Sequence, residues 1–178
     1  TDFSPEFRYA YPTSTTSAVP DAAGANGSDA PLVTSTDYNF NTGLTVSSTD
    51  ANGQVTRSHY YPEPGGPANS PNRLRLVEHP DGGETAYEYS DAPGSVFVLT
   101  KTLREVSPAR RELLSYQYLD SLGREYRTYS YDGTAATPWQ ASETKFDTLG
   151  RIAQTSNPVP VANPGDAVWD DWARNLVN

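Results

Sequence analysis

Leu114-Ser-Tyr-Gln-Tyr-Leu-Asp-Ser-Leu-Gly-Arg-Glu-Tyr-Arg127 is the stretch whose reading decides the fold. Tyr116 and Tyr118 lie two residues apart, so an extended strand carries both rings on one face. Asp120-Ser-Leu-Gly123 then supplies a turn. Its carboxylate accepts from backbone N–H groups just ahead, and Gly123 takes the positive φ that a Cβ disfavours. Arg124 opens a return strand. The unit is a β-hairpin closed by a type I turn and a glycine bulge.

The unit recurs. Asp-x-x-Gly begins at Asp21, Asp50, Asp91, Asp120 and Asp147, in steps of 29, 41, 29 and 27 residues. The long step contains the Pro/Gly-rich insertion at 62–72, and without those 11 residues it becomes 30. Flanks repeat as well: Tyr87-Glu-Tyr89-Ser-Asp91 matches Tyr116-Gln-Tyr118-Leu-Asp120, and Asp120-Ser-Leu-Gly123-Arg124 matches Asp147-Thr-Leu-Gly150-Arg151. A period of this size signals stacked supersecondary units.

Bulk composition agrees with short strands and many turns. Only 35% of the 178 residues are hydrophobic, yet 12 are Tyr and none is Met. Such a chain buries Tyr rings and leaves their hydroxyls at the rim. Fifteen Pro and 13 Gly punctuate it too often for long helices. The net charge of -9, with 11 Arg and two Lys scattered along the chain, excludes the clustered cations that nucleic acid requires. No run approaches 18 apolar residues, so no membrane-spanning helix is expected. Cysteine is absent, which removes disulfides and thiolate metal sites without fixing a compartment. Thr1 carries no initiator Met or signal peptide, and the last repeat breaks off after Trp169, so a longer parent polypeptide is expected.

Along the chain, Phe7-Arg-Tyr9-Ala-Tyr11 reads as an alternating strand closed by Pro12, and 13–30 as a Ser/Thr/Ala/Gly-rich loop. The division expected is an irregular region over 1–31 followed by hairpin repeats over 32–178, the last one truncated. Secondary turns are expected at Asn41-Thr-Gly43, Asp81-Gly82-Gly83, Asp132-Gly133 and Asn163-Pro-Gly165. Leu103 to Leu114 has helical composition, but Pro108 breaks it, and a hairpin turning at Ser107-Pro108-Ala109 fits the period. Asp166 to Leu176 is the other helix candidate. The match of Trp139 to Trp169 favours a strand there.

These residues resemble the YD-repeat (rearrangement-hotspot, Rhs) family, whose signature is Tyr-Asp followed by x-x-Gly-Arg. The nearest matches are Phe146-Asp147-Thr-Leu-Gly150-Arg151, Leu119-Asp120-Ser-Leu-Gly123-Arg124 and Tyr129-Ser-Tyr131-Asp132-Gly133, with His79-Pro80-Asp81-Gly82 similar to the family's Pro-Asp-Gly turn. The likeness covers about Leu32 to Pro158. Phe or Leu stands for Tyr before two of the aspartates, and Gln54 and Ser95 replace Arg after two glycines. The resemblance implies a strip of β-sheet spiralling into a hollow shell, which in bacterial polymorphic toxins encloses a C-terminal toxic domain and in cell-surface relatives serves adhesion. The family's self-cleaving protease segment has no counterpart here.

Candidate chemistry is sparse. Aspartates opening turns bond to their own backbone, so Asp50, Asp91, Asp120 and Asp147, with Gly53, Gly94, Gly123 and Gly150, are assigned to the turns. Asp50-Ala-Asn52-Gly53 echoes a calcium loop but lacks the downstream ligands. His59 and His79 stand 20 apart, without metal-ligand spacing. No nucleophile motif appears, so no catalytic residue, metal or cofactor is expected. Tyr87, Tyr89, Tyr116, Tyr118, Tyr129, Tyr131, Phe146, Trp139 and Trp169 are assigned to packing between repeats, where cross-strand aromatic pairs add on the order of 0.2–1 kcal/mol each. Arg124 and Arg151 are read as ladder charges paired with an acid of the next repeat.

The expectation is an all-β chain of antiparallel hairpins laid side by side in one twisted, curved sheet. Its function is a non-catalytic wall of a larger exported or cell-surface protein, with further repeats, copies of itself, an enclosed cargo or a surface receptor as partners. The alternatives are a glycan- or receptor-binding module that uses exposed Tyr and Trp, and a filament subunit that grows by strand addition.

Overall fold

The structure, a computed structural model, describes residues 1–8, 10–62, 72–105, 111–131, 138–166 and 168. It is all-β. Among these residues lie thirteen strands and one short 3-10 turn at Pro5–Phe7. Every strand pairing given for the two compact units, Thr1–Glu84 and Thr85–Asn178, is antiparallel.

In the first unit the strands are β1 (Asp2–Phe3), β2 (Pro12–Thr16), β3 (Val33–Tyr38), β4 (Thr45–Thr49), β5 (Val55–Tyr60) and β6 (Leu74–Glu78). They lie in the sheet in chain order. The described residues Phe7, Arg8, Ala10 and Tyr11 do not form the expected strand. A 3-10 turn capped by the Ser4 hydroxyl occupies 5–7, Arg8 takes φ 52, and the strand begins at Pro12 rather than ending there. Phe7 is thereby turned into a small aromatic cluster, with the Tyr11 and Tyr38 rings stacked 5.0 Å apart and Phe7 edge-on to Tyr38 at 5.8 Å. The loop expected over 13–30 is shorter, because β2 extends to Thr16 and pairs with β3.

The second unit holds β7 (Glu84–Ala92), β8 (Ser95–Glu105), β9 (Arg111–Leu119), β10 (Glu125–Tyr131), β11 (Trp139–Phe146), β12 (Ile152–Thr155) and β13 (Val159–Val161), with Glu84 itself closing the first unit. The order is again sequential, and β12 and β13 both pair with β11. Leu103 and Leu114 belong to paired strands, so the helical alternative for that region is excluded. The turns expected at 107–109 and 132–133, the insertion at 62–72 apart from its end residues, the strand or helix after 166, and Trp169 all lie outside the described residues.

The core sits in this unit. Tyr129 is fully buried, and Trp139, Ala141, Val161 and Val168 close round it, with Leu114, Tyr116, Tyr118 and Val159 packed against them. Register explains the set. Tyr129 stands opposite Tyr116 on one side and Ala141 on the other, and directly opposed residues share a face. The small Ala141 leaves room for the Tyr129 ring, whose hydroxyl donates to the Asp166 carbonyl at 2.9 Å. Burial pushes the Tyr129 phenol above its usual pKa.

Candidate functional site

Three turns share one geometry. The Gly53, Gly123 and Gly150 amides donate to the carbonyls of Asp50, Asp120 and Asp147 at 2.9–3.0 Å, and each Asp amide donates to the carbonyl of the residue after its glycine. Each carboxylate Oδ1 accepts from the amides two and four residues ahead, all at 2.8–3.0 Å. The glycines take φ between 76° and 80°. A fourth turn closes the same way with His79 in the lead, and there the carboxylate is that of Asp81, accepting from Gly83 at 2.9 Å.

Asp91 departs from the pattern. It lies within β7 opposite Val96, and Ala92 pairs with Ser95, so the connection is the two residues Pro93-Gly94. Pro followed by a glycine at φ 81 is the residue order of a type II turn. A loop of that length changes the side-chain count. Tyr87 and Tyr89 stand opposite Thr100 and Val98, and those opposite Ser115 and Gln117. Tyr116 and Tyr118 alternate with these and point to the other face. The two Tyr pairs that match in sequence therefore occupy opposite faces of the sheet.

The arginines after the glycines also differ from expectation. Arg124 and Arg151 pair with the Asp of their own turn, Nε to Oδ2, at 2.8 and 2.7 Å. Nη2 joins this pairing at 2.7 Å, which leaves Nη1 and the face of the Arg124 guanidinium to reach the next repeat. It lies 4.0 Å from the Phe146 ring centroid, and Nη1 donates to the Gly150 carbonyl at 3.2 Å. This clip fastens two consecutive turns along one rim of the sheet. Phe146 thus packs under a cation rather than another ring. Arg124→Lys is expected to cost about 1 kcal/mol in urea unfolding, because a point charge cannot stack, pair with Asp120 and reach Gly150 together.

Arginine also sets the acid response. The Arg124 side chain and backbone hold the Asp120 carboxyl below its usual pKa, and the Arg151 amide and side chain do so for Asp147. A carboxyl depressed in the folded state contributes stability above the usual carboxylate pKa, and that contribution is lost as pH falls through the depressed value. Wild type is therefore expected to exceed the Asp120→Asn/Asp147→Asn double variant in urea midpoint at pH 7 and 5. The two should converge toward pH 2.

One polar network lies inside the core face, and nothing in the residue pattern singles it out. Arg127 and Glu143 oppose each other across β10 and β11, with Nε and Nη2 donating to Oε2 at 3.1 and 2.8 Å. Arg127 Nη1 donates to the Tyr129 hydroxyl at 3.3 Å. The Ser156 hydroxyl accepts from the Glu143 amide and fixes the break between β12 and β13. Sixteen residues separate Arg127 from Glu143, so only the sheet register brings them together.

Elsewhere in the second unit Phe97, Tyr116, Tyr118, Tyr129 and Trp139 form a continuous series of ring contacts with centroids 5.2–6.2 Å apart. Tyr131 meets Trp139 edge-on at 5.3 Å. Trp139 is only 8% exposed, so its ring is closed to a stacking sugar. In the first unit a cleft of about 520 Å³ runs beside Arg57, Glu78, His79 and Glu84, and another of about 450 Å³ beside His59, Tyr60 and Arg75. The imidazole of His59 lies 3.1 Å from Glu78. Among the described residues no group of three or more His, Asp or Glu is placed to hold a metal ion.

Compared with known proteins, the chain matches no family model and no curated protein.

Proposed function

We propose that this chain is a non-catalytic wall segment of a larger exported or cell-surface repeat protein of the YD kind. Consecutive hairpins would build a β-sheet shell that encloses a C-terminal cargo or presents a surface for interaction. The observation that supports this reading is the Arg124 clip, which joins one Asp-x-x-Gly turn to the next 27 residues on. Each hairpin finds its neighbour next in sequence, as quasi-one-dimensional repeat proteins require. The described chemistry supports the non-catalytic part of the reading, since the aspartates of the three like turns spend Oδ1 on their own backbone.

The test is to isolate the native polypeptide that carries this sequence. The expected result is a mass well above 19.4 kDa, a hollow particle in electron micrographs, and an enclosed segment that resists protease until the shell is denatured. A native polypeptide of this chain alone, monomeric and with no enclosed segment, would overturn the proposal.

A further inference from the structure

Arg151 repeats the arrangement of Arg124 up to the point where a neighbour should begin. Its Nε–Oδ2 bond to Asp147 is 2.7 Å, against 2.8 Å from Arg124 to Asp120. The exposures of the two side chains differ sharply, 73% for Arg151 and 33% for Arg124. What covers Arg124 is the Phe146 ring and the Gly150 carbonyl of the following hairpin. Among the described residues Arg151 has no such cover. Beside it, Ile152 is 67% and Leu149 76% exposed. β12 ends the strand order, so its outer edge has no described partner.

From these observations we propose that Arg151 and the outer edge of β12 form a docking site for one kind of segment. That segment is a β-strand ending in an aromatic residue, followed by an Asp-x-x-Gly turn. The ring stacks on the Arg151 guanidinium, and the turn's glycine carbonyl accepts from it. The occupant's chemistry is dictated by continuity with the contact already formed one repeat earlier. Edge length explains why an arginine is needed. Ile152–Thr155 offers only four residues, and Pro158 and Pro160 lack the N–H that further pairing on that rim would use. So short an edge fixes register weakly, and the cation–ring stack selects one alignment. This inference rests on the repeat reading above and adds the residue that recognises the next hairpin.

The test uses the full chain, labelled with ¹⁵N, and a backbone-cyclised hairpin of sequence Trp139 to Thr155 as probe. Saturable shifts of the Arg151 and Ile152–Thr155 amides are expected, at about millimolar affinity. Binding should weaken at least fivefold in Arg151→Ala and equally when the probe's Phe146 is replaced by Ala. Arg151→Ala keeps the backbone bonds of its turn, and an unchanged spectrum elsewhere checks its fold. No saturable shift, or binding indifferent to both substitutions, overturns the docking proposal. The repeat reading is judged separately by the native polypeptide: a large shell protein whose hairpins ignore Arg151 would retain that reading and reject this one.

Discussion

Tyr129→Ala is expected to destabilise the second unit by about 3–5 kcal/mol, the range for deleting a large buried aromatic ring. Among the described residues Tyr129 is the one large side chain that is fully buried. Its ring meets Tyr118 at 5.6 Å and packs in the cluster with Trp139, Ala141, Val161 and Val168. Removing it opens a cavity on the core face among Trp139, Ala141, Val161 and Val168. It also removes the hydroxyl that donates to Asp166, so the segment after β13 loses one of its attachments. The measurement is urea unfolding followed by Trp fluorescence. Tyr129→Phe separates the two contributions. It keeps the ring but leaves the Asp166 carbonyl short of one donor and Arg127 Nη1 short of its acceptor, so a loss of about 1–2 kcal/mol is expected. Tyr131→Ala is the control: at 40% exposed that ring should matter far less.

Glu143→Ala is expected to cost about 3 kcal/mol, at the lower end of the range for breaking a buried pair from one side. The side chains of Arg127 and Glu143 are 19% and 10% exposed, so the arginine left behind keeps little water. Its remaining described partners would be the Tyr129 hydroxyl and the Tyr126 ring, whose centroid lies 5.5 Å from the guanidinium carbon. Arg127→Leu/Glu143→Leu should recover most of the loss, because apolar side chains leave no charge uncompensated. An exposed ion pair would instead show a change below about 1 kcal/mol in either single variant. The double-mutant cycle in urea measures which applies. Tyr129 must stay intact in this series, since it touches Arg127 and the two sites will couple.

Both positions lie on β10 and β11, and their roles differ in how far the sequence discloses them. Tyr129 belongs to the aromatic set that the repeat pattern picks out, although the pattern does not rank it above Tyr131. Arg127 and Glu143 carry no local signal at all. Their pairing depends on the register across a connection of seven residues, and a slip of one residue would send the two side chains to opposite faces.

The turns are the clearest case of local determination. Everything that closes Asp120-Ser-Leu-Gly123 lies within five residues: a carboxylate within reach of two amides, and a glycine free to take φ 76°. Asp50 and Asp147 repeat the same bonds because the same atoms stand at the same spacing. His79 shows that the backbone turn survives without a leading carboxylate, which is why a search for Asp alone gives that copy only a secondary place. Asp91 shows the reverse: the letters match, but Pro93 presets a tighter connection and the aspartate stays in the strand.

The sequence by itself determined the β-hairpin units, the corner residues of the Asp50, Asp120 and Asp147 turns and the sequential order of the strands, since these depend on atoms a few residues apart. Only the tertiary structure decided which Tyr pair faces the core, that Arg124 clasps the following hairpin instead of an acid there, and that a charged pair lies beside Tyr129. The physical reason is the two-residue alternation of a strand. A loop longer or shorter by one residue reverses every side chain beyond it, and that count is fixed by how the strands pair.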